Sequence, residues 1–507
     1  MSVSVKKVLI AVVALLATVA VGCYFFFIPG QEKKFEQGIA AFIGTLPGDL
    51  AADGIKVNFL GKSAEIRGLR GTTHYFGSDT KVDVASLTLT GLNFNPGKGV
   101  VKLADSIVVS GLSLTDVAKP VQPQDVAQDI ALKKLESRNV RGDFNAAVTE
   151  LPGDAPLARK MDILATFSSG PARMQDYVVT SHTVLGPITI SMASWEAQES
   201  TLLTSKNAVS KNLRLTAFGT DVFSLDRMSS ASLKVPNILA PLVEFMETED
   251  LDALNAQILE KLRQEPLEWR GVVLEGFHFQ FMLPEPITVS KLSMDLEASA
   301  DRLASKKDIQ GLILPPSVYG SMSLEAALFS DFYGKALDID LSKDVVLTQK
   351  SGTPVEIMIN NLFIRDKNLA SAQLKANLMH TGDIQHVYGV FDSAGDIVLK
   401  NAELVLEDKN LVATFLEAEL KAPLDREGDG DHVSVADLRE QVAQSIAALF
   451  AGEGEDYTAL GEGLVKLIMA PGRLTITAAP ETPVSLVNLA DDIVKALRLK
   501  VEYTPAN

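Results

Sequence analysis

SLTLTGLNFN at residues 86–95 and SIVVSGLSLT at residues 106–115 are two copies of one short sequence phrase. The apolar residues of the first copy are Leu87, Leu89, Leu92 and Phe94. Each pair has the period of two that is typical of a strand with one buried face, but the step across Gly91 is three residues. A glycine with a left-handed backbone, as a bulge or a tight turn, would keep both pairs on one face.

The phrase recurs further along the chain. Complete copies are centred on glycine, and one copy has asparagine, the next residue most tolerant of a left-handed backbone, in its place. We predict that these five residues are structural turn or bulge positions: Gly91, Gly111, Gly276, Gly311 and Asn361. The repetition predicts a repetitive sheet. The alternative is chance recurrence of a short phrase in a β-rich chain.

Composition bounds the size and the partners of the protein. The chain has 507 residues, enough for about three domains. Its net charge of −17 repels phosphate backbones, so we expect no nucleic-acid partner.

An apolar run near the N-terminus predicts the location. Residues 8–28 follow Lys6 and Lys7 and carry no charge. At 1.5 Å per residue, a helix of this length spans about 30 Å, the thickness of a hydrocarbon core. We expect a single-pass inner-membrane anchor with a cytoplasmic N-terminus, so that the rest of the chain is periplasmic.

Two alternatives to an uncleaved anchor involve cleavage. Residues 20–23, AVGC, loosely match a lipoprotein signal that would lipidate Cys23, and ordinary signal peptidase could cut after Gly22. Five apolar residues follow the cysteine, which disfavours both. Because Cys23 is the only cysteine, the chain forms no internal disulfide.

The periodicity along the chain predicts an α+β, β-dominated fold. An N-terminal transmembrane helix precedes long, repetitive, mostly antiparallel amphipathic sheets with helical insertions. The expected regions are the stub and anchor at 1–30, an amphipathic linker helix at 31–50, a first β-rich region at 51–235, a helical insertion at 236–266, a second β-rich region at 267–424, and a mixed helical and strand region at 425–507.

Two local patterns predict helices within these regions. The spacing of Val126, Ile130 and Leu135 predicts a short helix over 121–138. Ser434, with Asp437 three residues later, predicts a capping box at the start of a helix over 435–450.

One acidic loop resembles half of a calcium site. Acids occupy positions one, three, five and seven of a loop that has glycine at position six: Asp425, Glu427, Asp429 and Asp431. An EF-hand needs a bidentate glutamate at position twelve, where this chain has Ala436. The loop is a candidate calcium site; the alternative is a solvated acidic turn.

Catalytic motifs are missing from the sequence. It has no nucleophile elbow, no phosphate-binding loop and no dinucleotide fingerprint after a strand. We therefore expect a protein that is not an enzyme and that uses no cofactor, with a hydrolase as the least favoured alternative.

The overall plan resembles a known group. A single N-terminal span, a short amphipathic helix and phrases such as VDVASLTLTGLNFN (82–95) and ITVSKLSMDLEAS (287–299) look like the AsmA-like group of Gram-negative envelope proteins and related anchored periplasmic families. The resemblance implies a scaffold for envelope homeostasis whose apolar sheet groove accommodates phospholipid. The helical blocks at 236–264 and 433–469 depart from a continuous groove.

The two leading functions differ in whether the apolar face of the sheet is covered by helices or left open. If helices cover that face, the protein is an anchored module that binds a protein or polysaccharide partner. If the face is open, an acyl chain is the natural occupant.

Overall fold

A computed structural model describes most of the chain. The described residues are 32–44, 48–73, 79–93, 99–117, 127–143, 146, 159, 162–163, 165–201, 203–237, 251–350, 352–381, 397–421, 434–451, 455–486 and 496–506. The chain divides into two compact units between Leu274 and Glu275. The predicted anchor at 8–28 and the acidic loop at 425–431 lie outside the described residues.

The first unit is an antiparallel meander. Its strands are β1 (Ala51–Asn58), β2 (Ser63–Thr73), β3 (Thr80–Thr90), β4 (Val100–Asp116), β5 (Ala127–Asp143), β6 (Ser168–Ser169), β7 (Ala172–Thr183), β8 (Gly186–Ala197), β9 (Glu199–Thr201), β10 (Thr204–Ala217) and β11 (Thr220–Lys234). The long strands pair in the order β1–β2–β3–β4–β5–β7–β8–β10–β11, and the short strands β6 and β9 pair with each other. Its helices are α1 (Glu32–Ile43) and α2 (Leu251–Gln264), and β12 (Leu267–Phe279) contains the division between the units.

A line of irregular residues crosses the first sheet. Each long strand has one residue that forms no ladder pair with its neighbours, and these unpaired residues lie opposite one another across the sheet. The register is the same on both sides of them. These residues are, in sheet order, Asp53, Gly68, Ala85, Gly111, Lys133, Asp176, Ala193, Asn212 and Asp226. Alternate members, Gly68, Gly111, Asp176 and Asn212, have φ of 59°, 59°, 48° and 52°. We call these nine residues the slip line.

The slip line explains the copy of the phrase at residues 106–115, which contains Gly111. Leu87 and Val109 pair on one side of it, and Val84 and Leu112 pair on the other, and all four are buried. Each strand therefore changes phase where its neighbours do, and the apolar face continues across the line. The predicted bulge at Gly111 is thus one member of a sheet-wide feature.

Helix α1 covers part of the first sheet. Its side chains Ile39 and Ile43 are 0% and 2% exposed and belong to the same core as β1–β5 and β7. The Glu36 carboxylate also accepts a 3.0 Å hydrogen bond from the backbone N–H of Val57 in β1. Here an amphipathic helix buries the apolar face as an ordinary core.

The second unit is also an antiparallel meander. Its strands are β13 (Ile287–Ala298), β14 (Arg302–Leu314), β15 (Leu337–Thr348), β16 (Val355–Asp366), β17 (Ala370–His380), β18 (Ile397–Asp408), β19 (Gly472–Ala478), β20 (Val484–Ser485) and β21 (Leu499–Pro505). They pair in the order β13–β14–β15–β16–β17–β18–β19–β21, with β20 on β18. Its helices are α3 (Pro316–Tyr319), α4 (Leu324–Tyr333), α5 (Leu411–Lys421), α6 (Val435–Phe450) and α7 (Glu455–Met469).

The other four residues predicted to be turn or bulge positions have different local structures. Gly91, Gly276 and Gly311 have φ of 61°, 67° and 60°. Gln310 and Gly311 together face Asp340, so Gly311 lies in a two-against-one bulge. Asn361 lies beside another register shift, but it is not among the residues with positive φ. Its amide instead donates to Ser342 Oγ at 3.1 Å.

One sequence prediction is wrong within the described residues. Residues 127–143 form strand β5 instead of a helix, because the slip at Lys133 spaces Ile130, Leu132 and Leu135 in a way that imitates helical periodicity. The region 267–424, predicted to be β-rich, contains strands β12–β18 and also helices α3, α4 and α5.

The predicted capping box is confirmed. Ser434 Oγ accepts a hydrogen bond from the Asp437 N–H, and the Asp437 carboxylate accepts from the Ser434 N–H at 2.9 Å. The Ser434 hydroxyl also donates to the Asp437 carboxylate at 2.7 Å, and this bond together with the one from the Ser434 N–H lowers the pKa of the Asp437 carboxyl. No helix within the described residues is both long and apolar enough to cross a bilayer.

Candidate functional site

An apolar groove lies on one face of the second sheet. Two rows of directly opposed residues form it. The first row, from β14 to β17, is Ile309, Leu341, Ile364 and Ala372. The second row, from β16 to β18, is Leu362, Leu374 and Leu404. Because side chains two apart on a strand share a face, the two rows form one apolar surface.

The groove is of ligand size and reaches the surface. Its volume is about 420 Å³, within the range of about 300–1,000 Å³ that is usual for small-molecule sites. Ile364, in the middle of the first apolar row, is 47% exposed. Among the described residues, no helix occupies the groove.

The same face is covered further along the sheet. The second row continues from Leu404 to Ile476 on β19 and Val501 on β21. Helix α7 packs there so closely that a Cβ added at Gly463 would lie 2.9 Å from Leu474 Cδ1, and Leu474 is 0% exposed. Among the described residues, the apolar face of this unit is therefore covered over β19 and β21, buried around Leu347 and Ile357 at one end of β15 and β16, and open at the groove.

Two lysines lie at the side of the groove. Lys307 on β14 and Lys343 on β15 are directly opposed and both are exposed. Their outer neighbours in the same row are Met294 on β13 and Leu362 on β16. Neither lysine forms an ion pair with a residue that the structure describes.

The opposite face of these strands is polar and balanced in charge. Arg365 and Asp340 form an ion pair at 2.5 Å, and Lys367 and Asp338 form another at 2.8 Å. Partial burial alone would raise the pKa of the Asp340 carboxyl, but hydrogen bonds from Arg365 and from the Gly311 N–H outweigh it and lower the pKa. This face stabilises the sheet, which leaves the apolar face as the candidate for ligand binding.

None of the residues proposed from the sequence lies in the groove. Gly311 lies beside it, as the bulge that sets the β14–β15 register next to Ile309 and Leu341. The acidic loop at 425–431 lies outside the described residues, and Ala436 is an exposed residue of α6. No group of three or more potential metal ligands occurs within the described part of the chain.

The sequence raised an open apolar face as one alternative, but it did not locate the groove, because the groove residues are distant along the chain. The available signals were the alternation Leu337, Ile339, Leu341 and the phrase copies at 309–314 and 359–364, which mark apolar faces without showing what covers them.

The second unit is thus an antiparallel meander whose apolar face is partly open at the groove. A family model described as "Uncharacterized protein" matches residues 357–504, which lie in the second unit and include strands β17, β18 and β19. No curated protein and no solved structure matches the chain.

Proposed function

We propose that this protein is a membrane-anchored envelope protein whose second unit binds the acyl chain of a lipid. The observation that carries the proposal is the open apolar groove over β14–β18. Exposed apolar surface of this kind is costly in water, and a lipid chain removes it from water at about 0.8 kcal/mol per buried methylene.

The surroundings of the groove support a lipid. An unbranched acyl chain needs continuous apolar contact and few directional polar groups, and the two rows provide this across several strands. The apolar run at residues 8–28 would hold the chain beside a bilayer, which is a source of such ligands. The AsmA-like resemblance of the sequence is consistent with the same role in envelope homeostasis.

Photocrosslinking in cells tests the proposal on the full-length protein. Gram-negative cells that produce it are fed a fatty acid with a diazirine in its chain, so that their lipids become photoreactive. After irradiation the protein is purified under denaturing conditions, and adducts are located by peptide mass spectrometry. We expect adducts on peptides of β16 and β17.

A matched pair of variants separates the groove from general surface labelling. Ile364 and Met358 both lie on β16 and are 47% and 50% exposed, but Met358 lies on the opposite face. Ile364→Asp places a charge in the groove and should reduce β16–β17 adducts about tenfold. Met358→Asp should leave them unchanged. Wild-type protein without adducts in β14–β18, or equal losses in both variants, would contradict lipid binding.

A further inference from the structure

The lysine pair beside the groove is unusual for its position. Like charges directly opposed on neighbouring strands destabilise a sheet. Lys307 and Lys343 are such a pair, with their Cβ atoms about 5 Å apart by the register alone. In a protein with a net charge of −17, two adjacent unpaired cations are a local exception.

Among the described neighbours of the pair on the groove face, none is acidic. On that face the residues two positions away along β14 and β15 are Ser305, Ile309, Leu341 and Val345. The cross-strand neighbours Met294 and Leu362 are apolar. The lysine stems can therefore lie along apolar surface while their ammonium groups reach solvent beside the groove.

The neighbouring lysine on the other face shows the ordinary arrangement. Lys306 also lies on β14, but it faces Asp295 on β13 and Asp344 on β15. On this strand Lys306 therefore lies between two carboxylates, whereas the adjacent Lys307 lies opposite another lysine. This contrast makes Lys306 a matched control.

We propose that Lys307 and Lys343 bind the anionic headgroup, phosphate or carboxylate, of the amphiphile whose acyl chain fills the groove. The inference rests on the proposed function, because the apolar groove supplies the contact for the chain. Two ammonium groups beside one anion replace the repulsion between them by two attractive contacts. The site would therefore select anionic lipids over neutral and zwitterionic ones.

The masses of the photocrosslinked adducts test this selection. The same experiment on full-length protein identifies each lipid attached to β16 and β17, and its abundance is compared with the total lipid extract of the same cells. We expect anionic lipids to be enriched about fivefold in the groove adducts, as two partly solvated ion pairs allow. The adduct mass also separates a free fatty acid from a phospholipid.

Charge-removing variants assign the enrichment to the lysines. Lys307→Met with Lys343→Met keeps the apolar stems and should bring the enrichment close to one while adducts persist. Lys306→Met should keep the wild-type enrichment. Irradiating isolated membranes in about 1 M salt should weaken the wild-type enrichment, because the screening length falls to about 3 Å.

The failure of each proposal has a separate signature. Groove adducts with the composition of the lipid extract would overturn the headgroup inference and leave lipid binding intact. Enrichment that persists in the double variant would also overturn it. A lack of groove adducts in wild-type protein would overturn lipid binding itself.

Discussion

Gly111→Ala is the sharpest test of the slip line in the first sheet. Gly111 has a φ of 59°, a left-handed backbone that costs an L-residue about 1–2 kcal/mol. A Cβ added there would lie 2.8 Å from the Cβ of Ala85 on the neighbouring strand, closer than van der Waals contact. Overpacking of this kind costs about 1–3 kcal/mol, so the total is about 3 kcal/mol.

The steric part can be separated from the backbone part. Ala85→Gly removes the opposing Cβ, so the double variant should recover about 1 kcal/mol relative to Gly111→Ala and keep the backbone cost. Gly54→Ala in the same sheet is the control. Gly54 lacks a positive φ and has nothing within 4 Å of an added Cβ. This change should be neutral or slightly stabilising.

Hydrogen-exchange mass spectrometry of the full-length protein reads these effects in strand β4. A loss of about 3 kcal/mol raises the exchange rate of β4 amides about a hundredfold, provided that exchange follows the opening equilibrium. If Gly111→Ala exchanged no faster than Gly54→Ala, the left-handed slip line would be refuted. If Ala85→Gly gave no rescue, the contact with Ala85 would be refuted.

Three further predictions concern the second unit. Lys343→Met should stabilise this unit by about 0.2–1 kcal/mol because it removes a like-charge pair, whereas Lys306→Met should destabilise it. The measurement is hydrogen exchange of the β14 and β15 amides, and a change in the same direction in both variants would contradict the prediction. Because hydrogen bonds lower the folded-state pKa of the Asp340 carboxyl below its ordinary value of 3.8, its ion pair contributes stability above about pH 4 that is lost as pH falls through the lower folded value. Arg365→Met should reduce this acid sensitivity of β15 exchange, and an unchanged pH profile would argue against the ion pair. Ser434→Ala should cost α6 about 1 kcal/mol, measured as faster exchange of its first turn, while equal protection would show that the cap is dispensable.

The strands could largely be predicted from the sequence, because one buried face imposes a period of two. The capping box at Ser434 was readable for a similar reason, since its hydrogen bonds join residues three apart. The helix predicted over 121–138 was wrong over residues 127–138, because a slip in a strand and a turn of helix give similar spacings. Only the neighbouring strands, with Gly111 and Asp176 opposite Lys133, distinguish the two.

The groove could not be predicted, because it depends on register between distant segments. Lys307 and Lys343 become opposed only after helices α3 and α4 return the chain, and the bulge at Gly311 sets the local alignment. The extent of cover by α7 likewise depends on packing at Gly463. A single sequence shows that an apolar face exists, but it does not show where that face stays open.

A density map of the full-length protein, extracted from its membrane without detergent, would show directly whether a lipid occupies the groove. We expect elongated density along Leu362, Leu374 and Leu404 that is not continuous with the polypeptide. A segment of the protein's own chain packed into that groove, or a groove filled only by solvent, would contradict it.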